Sequence, residues 1–358
     1  MSTLTLAAAP RPGTVPFFTT GRSFVHPVFD YAIIGGGLSL IVGAMLYAQG
    51  VTLGLGTTAL AWCILLSNGA HFAASTVRLY TRPGAVKNLP FLTLGLPVVG
   101  VAIVTAAIAV REPFGLFLFA LYLLWSPYHY SAQAYGLSVM YAYRSGVGLG
   151  DGEKRLVWWT CLVPFAWTLL QPESGLGKLV IYAGVRATPP LDALRWGASA
   201  TLTVLTLVTP VLLFLWLRAR HGVVMPMVSV LVIGSNAVWW TLFTFLDAFV
   251  YVTVFHGLQY LAIATIFHVK DRTRATGARH GAAFHTVAFY VPCVVLGYIL
   301  FNVWPDAYRW AGLNVGKSVL LVTAAVNIHH FIVDAYIWRL RRDPNYRNVV
   351  DIETPVPA

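Results

Sequence analysis

Four histidines lie inside long apolar segments of the chain, and each has a polar residue three positions before it and another four positions after it. The four sets are Asn68–His71–Ser75, Ser126–His129–Gln133, Thr253–His256–Tyr260 and Asn327–His330–Asp334. On an α-helix this spacing puts the three side chains of a set on one face. Because an ionisable ring inside a bilayer is costly and normally faces a partner, four such faces predict one shared polar centre.

A metal ion is the simplest occupant of such a centre. Neutral imidazole is the commonest metal ligand in proteins and suits iron, copper and zinc. The predicted ligands are the four intramembrane histidines, His71, His129, His256 and His330. A ligand histidine normally donates its second ring N–H to an amide, a carbonyl or a carboxylate. The amides expected to orient the ligands in this way are Asn68, Gln133, Gln259 and Asn327.

Two further residues are predicted to take part in catalysis. Asp334 is the one carboxylate expected well inside an apolar segment, whereas Asp30 and Asp247 lie at segment ends. Asp334 is therefore expected to offset the charge of the metal. His329, beside His330, is expected to be a spare ligand or a proton donor. The aromatic neighbours Tyr128, Tyr130 and Tyr260 fit either the site or a membrane interface.

The composition indicates the kind of protein that must position these residues. Of the 358 residues, 58% are hydrophobic and 10% are charged, and the mean hydropathy is +0.70. Soluble domains carry about 25% charged residues. The prediction is an all-α, polytopic integral membrane bundle. The net charge of +11 then reflects basic loops that face anionic lipid, not a surface for nucleic acid.

About ten transmembrane helices are expected, since each span needs about 20 mostly apolar residues. The expected spans are roughly 29–48, 57–77, 90–110, 114–142, 156–171, 197–217, 223–244, 246–268, 284–303 and 315–338. The stretch from Val223 to His268 must contain two helices, because one helix of that length would run about 69 Å. Its turn is predicted near Phe245–Asp247.

The basic residues predict how the bundle is oriented. With ten spans, 18 of the 24 Lys and Arg residues lie on the side that carries both termini. By the positive-inside rule that side is the cytoplasm, and the expected location is a bacterial inner membrane. The predicted organisation is a cytoplasmic tail (1–28), a transmembrane domain (29–340) and a second cytoplasmic tail (341–358). The segment 172–196 is expected to be an outer loop.

Several common motifs are missing from the sequence. It contains no P-loop, no dinucleotide-binding fingerprint, no CxxC and no CxxCH. Nucleotide chemistry and covalently attached haem are therefore not expected. The three cysteines, Cys63, Cys161 and Cys293, each lie in an apolar run without metal-ligand spacing and are expected to be small packing residues.

The pattern of helices that each give one or two histidines to the membrane interior resembles the Brp/Blh family of β-carotene dioxygenases. The corresponding residues are His71, His129, His256 and the His329–His330 pair. The resemblance lies in architecture and residue type, and it implies a membrane-embedded non-haem iron. Membrane desaturases and alkane hydroxylases differ, because they use HxxxH boxes and this chain has none.

Four functions remain open on this evidence. The first is a membrane oxidoreductase or oxygenase in which non-haem iron, or else copper or zinc, acts on a hydrophobic small molecule reached from the lipid. The second is a cytochrome with haem b. The third is a proton-coupled transporter in which histidines and Asp334 relay protons. The fourth is a subunit of a larger membrane complex. Membrane lipid is an expected partner in each case.

Overall fold

The computed structural model describes residues 19–49, 56–110, 113–186, 188–275 and 279–338. Across these ranges the regular structure is helical, apart from one isolated β-bridge between Thr19 and Pro226. The predicted all-α fold is therefore confirmed. The expected C-terminal tail, 341–358, and the first 18 residues of the expected N-terminal tail lie outside the described residues.

The helices of the bundle follow one another with short connections. In chain order they are α1 (Pro27–Ile34), α2 (Gly37–Gln49), α3 (Thr57–Tyr80), α4 (Phe91–Ala109), α5 (Phe114–Arg144), α6 (Asp151–Leu169), α7 (Pro189–His221), α8 (Met227–Phe245), α9 (Phe249–Thr273), α10 (Ala282–Trp310) and α11 (Val315–Ile337). Two shorter helices, Ala85–Asn88 and Gly175–Tyr182, lie between them. The second falls within the segment 172–196, and α7 begins inside that segment too.

Seven helices within the described ranges are long and apolar enough to cross a membrane, namely α3, α4 and α7 to α11. The bent pair α1 and α2 makes eight if it forms one span. These helices indicate an integral membrane protein. Every expected span lies on a helix, but the expected number of about ten is not confirmed. Helix α5 carries many hydroxyl and amide groups around His129, and α6 begins with four charged residues within 151–155.

The start of the bundle is held by a buried carboxylate. Helices α1 and α2 meet at 55°, and Gly36 between them has a φ of +79°, which favours glycine. The Asp30 carboxylate accepts hydrogen bonds from the backbone N–H groups of Phe24 and Val25 and from the Tyr141 hydroxyl. Phe24 itself is buried in the core. Residues just before α1, expected to be part of a tail, thus pack against the bundle.

The turn between α8 and α9 is confirmed at residues 246–248, next to the predicted position. Asp247 has a φ of 51° there, a left-handed conformation that ends a helix and that aspartate tolerates better than most residues. The turn sends α9 back along the bundle and brings His256 into its interior, where the ring is 1% exposed.

The helices divide into inner and outer ones. In its most apolar stretch α11 has 56% of its residues buried, whereas α10 has 17% and α7 has 28%. Helix α10 carries an exposed apolar stripe at every fourth residue, Val287, Val291 and Val295, as expected of a surface that faces lipid. The four histidines lie on α3, α5, α9 and α11, of which α11 packs against both α3 and α5, and α9 packs against α3.

Two glycines allow the helices around His71 to approach closely. A Cβ atom added at Gly257 would lie 2.9 Å from the carbonyl carbon of Ser67 and 3.0 Å from the Cα of Asn68. One added at Gly297 would lie 2.6 Å from the backbone oxygen of Gly69. Small residues at such contacts are the usual way for membrane helices to pack backbone against backbone. Helices α9 and α10 are therefore held against the turn of α3 that precedes His71.

Candidate metal centre

The structure brings together the imidazole rings of the four predicted ligands. The ring centre of His71 lies 4.9 Å from that of His256 and 4.4 Å from that of His330. The ring of His129 lies 4.9 Å from that of His330 and 5.4 Å from that of His256. All four side chains are more than nine-tenths buried. Four helices that are far apart in sequence therefore place their histidines in one cluster.

Three of the rings come close to the spacing that one metal ion requires. His71, His129 and His330 each offer a nitrogen, and these atoms all lie within 4.8 Å of one another. The Nε2 atoms of His129 and His330 are 3.3 Å apart. Because metal–imidazole bonds are about 2.0–2.1 Å long, two nitrogens on one ion lie no more than about 4.2 Å apart. The His129–His330 pair already meets this limit, and His71 is close to it.

The ring nitrogens of two histidines have no hydrogen-bond partner among the described residues. Both nitrogens of His71 and both of His256 are buried and form no hydrogen bond of normal geometry, although the His71 ring has a weaker contact with the backbone of Asn68. A buried polar atom without a partner costs about 1–3 kcal/mol, and such atoms are rare in folded proteins. Unpaired nitrogens grouped in this way make the cluster a candidate binding site. The donor set, neutral nitrogen with a carboxylate nearby, fits a transition metal.

His330 is oriented by a hydroxyl from another helix. Its Nδ1 lies 3.0 Å from the Oγ of Ser75 on α3. If Nδ1 carries the proton and donates it to Ser75, then the lone pair sits on Nε2, the atom that faces His129. Ser75 therefore orients the ring of His330, a role that the sequence analysis assigned to the amides. It belongs to the polar set of His71, but its partner is a histidine on a different helix.

Asp334 lies beside the cluster and is held by an aromatic pair. Its Oδ2 is 3.4 Å from Nε2 of His330, and its Oδ1 accepts a hydrogen bond of 2.6 Å from the Tyr260 hydroxyl. The same hydroxyl accepts a hydrogen bond of 3.1 Å from the indole N–H of Trp338. The carboxylate is thus fixed close enough to His330 to balance a positive charge, or to bind an ion after a small shift.

His256 lies in the cluster but outside the group of three. Its ring stacks on that of Tyr130, with centres 3.7 Å apart and planes at 13°. This stacking places one face of His256 against an aromatic wall, while the ring of His71 lies nearly perpendicular to it, at 88°. His256 is therefore a fourth candidate ligand rather than a member of the tightest set.

Aromatic side chains close the cluster on its other sides. Phe331 stacks on His129 with ring centres 4.6 Å apart, and Phe72 contacts both His71 and His330. Tyr130 and Tyr260 are 7% and 4% exposed, so both belong to the site and not to a membrane interface. Aromatic walls of this kind lower the local dielectric and exclude water, which strengthens electrostatic interactions inside the site.

The four amides expected to orient the ligands form other interactions. The side chain of Gln133 donates to that of Gln259 at 2.7 Å, and Gln259 donates to the backbone oxygen of Ile34 at 2.6 Å. Asn327 donates to the carbonyl of Thr323 on its own helix. The side-chain oxygen of Asn68 is buried without a partner. Within the described residues, none of these side-chain hydrogen bonds ends on a histidine ring.

Two residues of the predicted site, Asn68 and His329, lie outside the arrangement that the sequence implied. Asn68 lies in a π-helical turn, Leu65–Gly69, and this wider turn shifts it from the regular spacing that the sequence implied.

His329 is half-buried. It precedes His330 by one residue, so its side chain points about 100° away around the axis of α11. The structure therefore does not bring His329 into the cluster with its neighbour.

A large, mostly apolar cavity adjoins the cluster. Its volume is about 1160 Å³, and it is lined by residues of α5, α6, α9 and α11. His129, Tyr260 and Asp334 form one part of its wall, so a molecule in the cavity would touch the histidine site. Ligand pockets are typically apolar, with a few polar groups that fix orientation.

Sequence reasoning missed the partners that cross between helices. Ser75 and Tyr260 were visible as the last members of their polar sets, at four residues after His71 and His256. Trp338 and Phe331 carry no such signal, because an aromatic residue in an apolar run is usually a packing residue.

Comparison of the chain with protein-family models finds no match. Comparisons with curated proteins and with solved structures find none either.

Proposed function

We propose that this chain is an integral membrane metalloprotein in which His71, His129 and His330 bind one metal ion and His256 is a fourth ligand. The observation that carries the proposal is the set of unpaired, buried ring nitrogens of His71 and His256 beside the 3.3 Å pair formed by His129 and His330. A bound ion would give one nitrogen of each ring the partner that the protein does not supply.

We infer that the metal is non-haem iron and that the protein is an oxidoreductase or oxygenase for a lipophilic substrate. Histidines with one carboxylate and open positions are typical of non-haem iron sites that react with oxygen. When bound, iron would supply redox chemistry with O₂. The protein would bind the substrate in the adjoining cavity, orient His330 through Ser75, and exclude water with Phe72 and Phe331.

Haem b is a weaker alternative for this cluster. A porphyrin would have to fit between two histidines that face each other across its plane. Each ring in this cluster is within 4.4–5.4 Å of at least two others, so the space beside any pair is already filled by further imidazoles. The ring contacts therefore favour a bare ion.

The resemblance to the Brp/Blh family and the orientation of the bundle belong to this proposal. We propose that both termini lie on the cytoplasmic side of a bacterial inner membrane. With the ten spans expected from the sequence, the distribution of Lys and Arg favours that orientation. The histidine cluster on four helices agrees in kind with an embedded iron site. Copper and zinc remain alternatives to iron that the same ligands could bind.

Metal analysis of the purified full-length chain, together with its absorption spectrum, tests the proposal. We expect about one iron per chain and no Soret band. His129→Gln should lose most of the iron. His285→Gln, which changes a half-buried histidine at the start of α10, should keep it. A chain without stoichiometric metal contradicts the proposal, and a Soret band would replace it with the cytochrome. Oxygen uptake that depends on a lipophilic substrate is the further expected result.

A further inference from the structure

The cavity beside the histidine cluster is elongated and follows one face of α5. Its lining includes Trp125, His129, Gly136 and Tyr143, which follow one another at intervals of four, seven and seven residues. That spacing describes a single helix face. Trp125 and Tyr143 are 18 residues apart, which corresponds to about 27 Å along a helix. The cavity is therefore long enough to take an extended chain.

The two ends of the cavity differ in charge. The lining contains one basic residue, Lys154, and one acidic residue, Asp334. Asp334 lies beside His330 at the metal end. Lys154 lies beside Tyr143, with its ammonium 5.7 Å from the centre of that ring. His129 and Tyr143 are 14 residues apart, or about 21 Å along α5.

The wall between the two ends is aromatic and aliphatic. Trp158 on α6 packs edge-to-face against Tyr135, with ring centres 5.1 Å apart, and against Tyr128 at 5.9 Å. Leu137 and Met140 add aliphatic surface. A wall of this composition binds an apolar chain by removing the surface of that chain from water.

Lys154 is available to a ligand, although it has two partners, the Tyr143 side chain and Asp151. Its ammonium forms an ion pair of 3.4 Å with Asp151, whose side chain is 81% exposed, while the Lys154 side chain is 21% exposed. An ion pair with so exposed a carboxylate contributes little, because water screens it. A carboxylate or phosphate that arrives with an apolar chain in the cavity can replace Asp151 at little cost.

We propose that the cavity binds a long-chain amphiphile with one anionic head group, held by Lys154, and directs its apolar chain along α5 toward the histidine cluster. This inference names the class of substrate for the proposed function. It rests on that function only for what happens to the apolar chain of the amphiphile at the metal. The head group can belong to a free fatty acid or to an anionic phospholipid, since both present the same charge to the lysine.

Ligand binding to the full-length chain in phosphatidylcholine nanodiscs tests this. The probe is a fluorescent polyene fatty acid, displaced by palmitate or by hexadecanol, which has the same chain without the charge. We expect palmitate to bind at least tenfold more tightly than hexadecanol. Lys154→Gln should remove that difference by weakening palmitate alone. The control Arg155→Gln, which changes the exposed neighbour of Lys154, should preserve it.

Gly136→Leu provides a second arm. A Cβ atom at Gly136 meets nothing within 4 Å, so the variant should fold, and its larger side chain should block both palmitate and hexadecanol. Nanodiscs that contain phosphatidylglycerol distinguish the sources, because weaker probe binding there, dependent on Lys154, assigns the head group to a membrane lipid.

Equal affinity for palmitate and hexadecanol, or a Lys154→Gln variant that keeps the preference for the acid, would overturn the proposal. Metal content is measured on the same samples. If the unmodified chain binds iron but shows no preference for palmitate, this inference alone is rejected. If the unmodified chain prefers palmitate but binds no metal, the proposed function alone is rejected.

Discussion

Two buried polar sites in this bundle differ in whether the protein completes them. The Asp30 carboxylate is fully buried and receives three donors, two backbone N–H groups and the Tyr141 hydroxyl. His71 and His256 are as deeply buried, but none of their nitrogens has a partner among the described residues. Since each unpaired polar atom destabilises the fold, the first site is structural, whereas the second leaves nitrogens to which the proposed metal can bind.

The same helix contributes to both sites. On α5, His129 belongs to the histidine cluster, and Tyr141, 12 residues later and about 18 Å along the helix, hydrogen-bonds Asp30. A single helix can therefore hold a completed polar site and an incomplete one. The difference arises from what the other helices bring: donors at Asp30, and further imidazoles at His129. Substitutions at the two sites should then have opposite effects on stability and on metal binding.

The largest expected effect is at the incomplete site. His71→Leu should weaken metal binding by more than about 100-fold, because it removes a ligand. Changing a residue that only hydrogen-bonds a ligand costs about 10–100-fold. The metal-free variant should be as stable as the metal-free parent, or more stable, because an unpaired buried ring is replaced by an apolar side chain. Metal titration followed by chemical unfolding measures both quantities. A metal-free variant that is much less stable than its parent would show that the His71 ring stabilises the fold without metal, as Asp30 does.

Asp30→Ala should do the reverse. It leaves three donors unpaired, so we expect a loss of about 3 kcal/mol in the free energy of unfolding. Iron per folded chain should be unchanged. The matched control is Asp306→Ala, which removes an exposed carboxylate paired with Arg309 on the same helix turn and should cost less than about 0.5 kcal/mol. If Asp30→Ala lowered metal affinity in folded protein, the two sites would not be independent.

Gly257→Ala tests whether backbone contact positions the ligands. Its Cβ would meet the backbone of Ser67 and Asn68 at 2.9–3.0 Å, so α9 must move away from α3 at a cost of about 1–3 kcal/mol. Metal affinity should fall with stability, because His71 and His256 are carried by these two helices. Gly234→Ala on α8, where a Cβ meets nothing within 4 Å, is the control. Equal behaviour of the two variants would contradict this account.

A smaller effect is expected at the hydroxyl that orients His330. Ser75→Ala removes the partner of Nδ1 and should weaken metal binding about tenfold, the lower end of the range for such residues. Ser67→Ala changes a serine of the same helix whose hydroxyl bonds the carbonyl of Cys63 instead, and it should leave the affinity unchanged. Isothermal titration with Fe²⁺ under anaerobic conditions compares the two variants.

The smallest effect is expected at an amide that the sequence pattern favours. Gln133→Leu breaks the bond to Gln259, but neither amide reaches a histidine in the hydrogen bonds of the described chain, so the metal affinity should change less than about twofold. The same titration measures this. A loss comparable with that of Ser75→Ala would restore Gln133 as a group that orients a ligand.

The sequence predicts the helical fold well where a local signal exists. Apolar runs mark the helices, and the length limit on one span places the turn beside Asp247. The number of spans is less predictable, since α5 and α6 are helices whose polar residues face protein or solvent. Polar residues that a bundle buries lower hydropathy in the same way as those of a surface helix. The bend between α1 and α2 depends on Gly36 and on contacts with distant residues.

The candidate site is predictable in its centre and not in its surroundings. Helical spacing identified the four histidines, because an intramembrane imidazole is rare enough to be informative. The partner of each side chain depends on which helix packs beside it and at what height. Ser75 turns to His330, and Tyr260 turns to Asp334, although each follows a different histidine along the chain. No local pattern contains that information.

The most direct test of the central claim is X-ray absorption at the metal edge of the purified full-length chain. We expect about one iron per chain and the outer-shell scattering of imidazole. The Fe–N distances should be about 2.0–2.1 Å, as in other metal–histidine bonds. The histidine signal should disappear in His71→Leu and persist in Asp30→Ala. Iron that is bound without imidazole ligands, or a chain that binds no metal while remaining folded, would contradict it.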